Sequence, residues 1–163
     1  MFRFLVIFLA LALSLFAAEL TPPVQRWVVE PWTEAVARTA ALLLTGVDAS
    51  VVASGRQLLD RWTGHGVSIE AGCNGLEALI VLSAAMLAFP APWRQRAAGI
   101  AVGGIAIQGL NLLRIVSLYY LARWNAEVFE WVHLYLWQSL IMIDVLIVWL
   151  LWLRWTRKAP HAA

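Results

Sequence analysis

The chain has 163 residues, 62% of them hydrophobic and 13% charged, whereas a soluble domain is about 45–50% apolar and about 25% charged. This is the composition of an integral membrane protein. A net charge of +2 is too small to mark a nucleic-acid binder, and one cysteine excludes both an internal disulfide and a multi-cysteine metal centre.

Crossing a bilayer takes about 20 mostly apolar residues. Four segments qualify, at residues 4–19, 73–89, 97–121 and 132–153. They predict a single membrane domain over residues 1–163: an all-α integral membrane bundle of about four transmembrane helices. Residues 20–72 form a small extracytoplasmic insert. The first segment, FLVIFLALALSLFAA, reads as an uncleaved anchor, because Leu15 and Phe16 stand where a signal peptidase needs small residues.

In the insert, Pro22-Pro23 break the first helix. Pro31 suits the first turn of a new one, which runs through TEAVARTAALLL to Gly46. Glu34 and Arg38 are one turn apart and can pair on its wet face. This helix is expected to lie on the outer membrane surface, leucines down. The β-branched runs ASVVAS and HGVSIEA then predict a short β-hairpin leading into Cys73. A fifth span over residues 35–53 is rejected. It would bury Arg38 and Asp48 in lipid at a few kcal/mol each and place basic loops outside.

With both termini cytoplasmic, the inner flanks hold Arg3, Arg94, Arg96, Arg154, Arg157 and Lys158 and no acid, in agreement with the positive-inside rule. Residues along the spans can then be ranked by depth, at about 1.5 Å per residue. Cys73 is 17 residues before Pro90, and Arg114 is 17 beyond Ala97 on a helix running the other way. Both lie about 26 Å from the inner face. His133 precedes Arg154 by 21 residues, or about 31 Å. A thiol, a guanidinium and an imidazole thus converge at the outer interface.

Each of the three also has a purely structural explanation. The cysteine can be packing, Arg114 can snorkel to headgroups, and His133 stands in an aromatic belt of Trp131, Tyr135 and Trp137. Against this, Asn74-Gly-Leu-Glu77 has the form of a capping box, which puts Cys73 just before a helix N-terminus where a thiolate is favoured. Asn111 and Gln108 recur below Arg114, so one face of that helix is polar. Glu77 either caps its helix or pairs with Arg114. Asp144 shares the His133 face deeper in the membrane and is expected to anchor the bundle through Asn111 or Gln108. His65, in the insert, is expected to be solvated.

The run EAGCNGLEAL, followed by NLLR in the next span and His133 at the start of the last, resembles the exosortase/archaeosortase family of membrane transpeptidases. Within it, the short length and GCNG context are most similar to the exosortase H type. The resemblance covers residues 45–150 and implies a compact form of a family whose longer members have eight spans. It also implies a bacterial inner-membrane enzyme whose site faces the extracytoplasmic side. Its partners would be secreted proteins bearing a C-terminal sorting tail (a motif, a transmembrane helix and a basic end), membrane lipid and an envelope acceptor. Cys73 would attack the tail and form a thioacyl intermediate. Arg114 would stabilise the oxyanion and His133 would move the proton, with Asn74, Glu77 and Asn111 in support. No cofactor or metal is implied. Two other readings remain: a thiol acyltransferase acting through Cys73, and a non-catalytic assembly subunit pairing helices through Arg114 and Asp144. A haem site from His133 and Cys73 lacks a second histidine within a span.

Overall fold

The computed structural model describes residues 2–158. In chain order the elements are α1 (Phe2–Glu19), one turn α2 (Pro22–Val24), a π-helical stretch Gln25–Val29, and α3 (Glu30–Thr45). Strands β1 (Val51–Ser54), β2 (Gln57–Asp60) and β3 (Gly66–Ser68) follow. Then come α4 (Leu76–Ala88), α5 (Trp93–Trp124), α6 (Ala126–Trp131), a second π-helical stretch Val132–Trp137, and α7 (Gln138–Lys158). Among the described residues, three helices are long and apolar enough to cross a membrane: Phe2–Glu19, Trp93–Trp124 and the run Ala126–Arg157.

The span expected at 73–89 is shorter than its apolar run. Its helix covers only Leu76–Ala88, 13 residues or about 20 Å, against about 30 Å of bilayer hydrocarbon. Local chemistry sets both ends. Gly75 is left-handed at φ 77°, which excludes it from the helix. At the other end Phe89 is extended at ψ 136°, because Pro90 disfavours helical geometry in the residue before it. The third and fourth spans instead overrun their expected bounds. They are separated at Asn125, which is extended and whose side chain accepts from Glu127 N and Val128 N, a helix cap.

The proline expectations hold with one addition. α1 stops at Glu19 and helix resumes at Pro22. Pro31 lies in the first turn of α3, preceded by the π-helical stretch. Pro31 has no N–H to give a carbonyl one turn back, and the wider turn accommodates that gap.

The two runs expected to form a hairpin hold β1 and β3, yet these do not pair with each other: β2, read as part of the turn between them, lies in the middle of the sheet. β1 and β2 pair antiparallel from Val51↔Asp60 to Ser54↔Gln57, and β3 adds a third antiparallel strand on β2. α3 covers this sheet with a small-residue face. Ala37, Ala40, Ala41 and Leu44 pack with Val51 and Leu58 of the sheet and with Ile115 and Tyr119 of α5. Its leucines therefore divide: Leu44 is buried in this core while Leu42 and Leu43 are exposed. The Glu34–Arg38 pair forms at 2.8 Å on the open face. Arg123, near the end of α5, reaches Asp48 at 3.1 Å and Asp60 at 3.3 Å, which fastens the sheet to that helix.

A second core joins α4, α5 and α7 through Leu82, Met86, Ile107, Ile141, Val145 and Trp152. α5 approaches its neighbours closely at Gly103, where a Cβ would stand 2.6 Å from Leu82 and 2.8 Å from Val148. α1 packs along α4.

Candidate active site

The segment between β3 and α4 is held by its asparagine. Asn74 is fully buried. Its Nδ2 donates to Thr33 Oγ1 at 3.0 Å, and its Oδ1 accepts from Leu76 N at 2.9 Å. Its carbonyl accepts from Trp32 Nε1 at 3.1 Å and from Gln108 Nε2 at 3.3 Å. One residue thus ties the segment to α3, to α5 and to the start of α4. The expected capping box is shifted: Gly75, not Asn74, precedes the first helical residue, and Glu77 Oε1 accepts from Gly72 N rather than from Asn74 N. The cause is the pair of left-handed glycines, Gly72 at φ 85° and Gly75 at φ 77°, which fold the segment into a loop. At Gly75 a Cβ would also stand 2.5 Å from Gln108 Nε2, so only glycine fits there.

Cys73 sits between these glycines, half-buried. His133 Nε2 lies 3.2 Å from its Sγ. Arg114, 2% exposed, points Nη2 at Sγ from 3.4 Å and Nη1 at the Gly72 carbonyl, also 3.4 Å. Three elements far apart in the chain therefore meet at one sulfur atom. His133 belongs to the second π-helical stretch, where a widened turn changes the direction in which side chains leave the helix, and its ring packs on Phe129 at 5.5 Å.

Cys73 lies in the loop ahead of α4, three residues from its first helical residue, so the expected aid from the helix N-terminus gives way to other influences. Burial pushes the Cys73 thiol up, Arg114 pulls it down, and Glu77 and Glu70 push it up again; the net direction is upward. A thiol pushed up in this way needs a base within reach for its activation. His133 is that neighbour.

The other candidates divide. Glu77 braces the loop through Gly72 and makes no ion pair with Arg114 among the described contacts. Asn111 is fully buried one turn below Arg114 and donates to Gln108 at 3.4 Å, without reaching the sulfur. Asp144 does not anchor the bundle through Asn111 or Gln108: Gln108 turns to Asn74, Asn111 turns to Gln108, and Asp144 Oδ2 is buried without a partner. His65 is exposed, as expected. Trp32 and Thr33 were missed in the sequence. They lie 42 and 41 residues from Asn74, and only their place beside Pro31, in the first turn of α3, could have drawn attention to them.

Beside the loop, a polar cleft of about 500 Å³ runs between α3 and the sheet, lined by Gln25, Thr33, Arg56, Glu70 and Ala71 among others. One of its lining residues, Ala71, is two positions from Cys73 in the chain.

A family model described as transmembrane exosortase (Exosortase_EpsH) matches residues 2–149. No match is found among curated proteins or among solved structures.

Proposed function

The chain belongs to the transmembrane exosortase family, and we propose that it is a membrane cysteine transpeptidase acting on the C-terminal sorting tails of secreted proteins. The observation that carries this reading is the single sulfur atom with an imidazole nitrogen at 3.2 Å and a guanidinium nitrogen at 3.4 Å. A packing cysteine has no use for a buried arginine and a histidine both aimed at it.

The reaction follows from these positions. His133 Nε2 takes the proton of Cys73, and Sγ attacks the scissile carbonyl of the tail. Negative charge then grows on the carbonyl oxygen, which Arg114 meets with donors already in place. A preorganised donor of this kind is worth about 10²–10³ in rate. The tetrahedral adduct collapses by breaking the C–N bond. The proton on His133 passes to the leaving amine, and the acyl group stays on sulfur as a thioester. An acceptor nucleophile, deprotonated by the now neutral His133, displaces the thiolate and completes transfer. Water in its place would give hydrolysis. General acid–base help at each proton step contributes about 10²–10⁴.

Asn74 and Glu77 hold the loop that presents the sulfur, and Asn111 supports the polar face beneath Arg114. The cleft that Ala71 helps to line would receive the tail's motif, while the tail's transmembrane helix stays in lipid. With both termini in the cytoplasm of a bacterial inner membrane, this site faces the extracytoplasmic side.

The test is an immunoblot of a secreted protein with a sorting tail, co-expressed with the wild-type chain or with Cys73→Ala. A shortened product with wild type alone supports the reading. Equal processing by both demotes Cys73 to packing. Acylation of Cys73 by lipid without tail cleavage points to the acyltransferase instead.

A further inference from the structure

At the end of the bundle opposite Cys73, the first turns of α1, the end of α4 and the end of α7 enclose a cleft of about 1270 Å³. Its walls are apolar. Phe4 packs against Phe89 at 6.5 Å and against Trp149 at 6.0 Å, and all three line the cleft. Its rim is cationic, with Arg3, Arg96 and Arg157. None of these arginines forms an ion pair among the described residues. Two hydrogen-bond donors on lining residues, Arg96 Nε and Trp149 Nε1, are buried without an acceptor.

Buried donors are normally satisfied. The residues that carry these two donors line the same cavity, beside three arginines without an ion pair among the described residues and a hydrocarbon-like wall. An occupant that complements this lining carries negative charge and an apolar body. We propose that this cleft binds one anionic phospholipid, with an acyl chain along Phe4 and Trp149 and the phosphate among Arg3, Arg96 and Arg157. A sorting tail's basic end is excluded as occupant by like charge. Basic pockets between helices at the cytoplasmic side suit anionic headgroups, and this is the cytoplasmic end under the positive-inside orientation. The lipid would fill the gap between α1 and α7, joining the N-terminal anchor to the bundle at its inner end.

The experiment titrates the purified full-length chain, in neutral detergent, with phosphatidylglycerol or with phosphatidylcholine of the same acyl chains, and counts bound lipid by native mass spectrometry. Phosphatidylglycerol should form a one-to-one adduct in preference to phosphatidylcholine. Arg3→Gln combined with Arg96→Gln should weaken it at least about tenfold, as expected for the loss of charge-assisted bonds. Arg94→Gln combined with Arg154→Gln makes the same charge change at the same end but outside the cleft, and should leave binding unchanged. Cys73→Ala should bind like wild type, since the proposal does not depend on catalysis. Equal loss in the two arginine pairs would show unspecific charge attraction and overturn the site. Equal binding of the two lipids, or complete displacement by millimolar inorganic phosphate, would overturn the anionic phospholipid as its ligand.

Discussion

Replacing Asn74 with alanine should separate the loop's positioning role from the chemistry it serves. The change removes two side-chain hydrogen bonds, to Leu76 N at 2.9 Å and to Thr33 Oγ1 at 3.0 Å. Leu76 N is left without its acceptor at the start of α4. Thr33 suffers less, because its hydroxyl still donates to Val29 O at 2.7 Å. At about 1–3 kcal/mol for an unsatisfied group and about 1 kcal/mol for an ordinary bond, the loss is about 2–4 kcal/mol. The side-chain bonds that Trp32 Nε1 and Gln108 Nε2 donate to the Asn74 carbonyl are lost only if the loop lifts away, so the loop loosens rather than unfolds. A displacement of 1 Å at a reacting atom can cost about 100-fold in rate, and tail cleavage should fall at least tenfold with Arg114 and His133 both intact. Asn74→Ser places a shorter oxygen near Leu76 N and should recover part of both losses. The assays are thermal unfolding in detergent, cleavage kinetics, and the rate at which a maleimide modifies Cys73, which should rise as the loop loosens. Wild-type cleavage and labelling rates in Asn74→Ala would refute the claim that this side chain positions the sulfur.

Arg114→Lys keeps the charge but replaces a planar fork that reaches two partners with a point charge, and kcat/KM for tail cleavage should fall about 10²–10³-fold; near-normal turnover would remove the guanidinium from the oxyanion role. Cys73 in intact cells should react with a membrane-impermeant maleimide added from outside, and labelling that requires opening the inner face would invert the orientation. The Asp60 carboxyl is lowered from 3.8 to about 2 by the backbone N–H groups of Thr63 and Trp62 and by the Ser50 hydroxyl. The stability it lends the insert is therefore complete above pH 3.8 and disappears as the pH falls toward 2. Hydrogen exchange in β1–β3 should accelerate across that interval, and Asp60→Asn should abolish the acid step.

What sequence reading captured depended on how far its signals reach. Composition and charge asymmetry located the long apolar helices, because bilayer thickness imposes a length on each. Counting residues from the inner flanks brought Cys73, Arg114 and His133 to one level, and the structure joins them at one sulfur. The helix cap was placed at Asn74, one residue early, because the pattern Asn-Gly-Leu-Glu does not reveal that Gly75 turns left-handed and delays α4 to Leu76. β2 was missed because its four residues, QLLD, include no β-branched side chain, so it passed for the turn between the two runs that became β1 and β3. The Asn74–Thr33 bond spans 41 residues and exists only because α3 docks on α5 through alanines. Asp144 was given partners by helical periodicity, but those partners were already engaged by Asn74 and by each other.

Arg123 lies nine residues beyond Arg114 on the same helix, about 13.5 Å along its axis. The helix therefore works as a common axle. At one point it grips the sheet through Asp48 and Asp60, and at another it sets the guanidinium against the sulfur. Sliding or turning α5 would alter both contacts together, so the sheet's hold on Arg123 also bears on where the helix carries Arg114. Damage to an aspartate at the sheet's edge would thus be felt at the thiol, though no atom of that aspartate touches it.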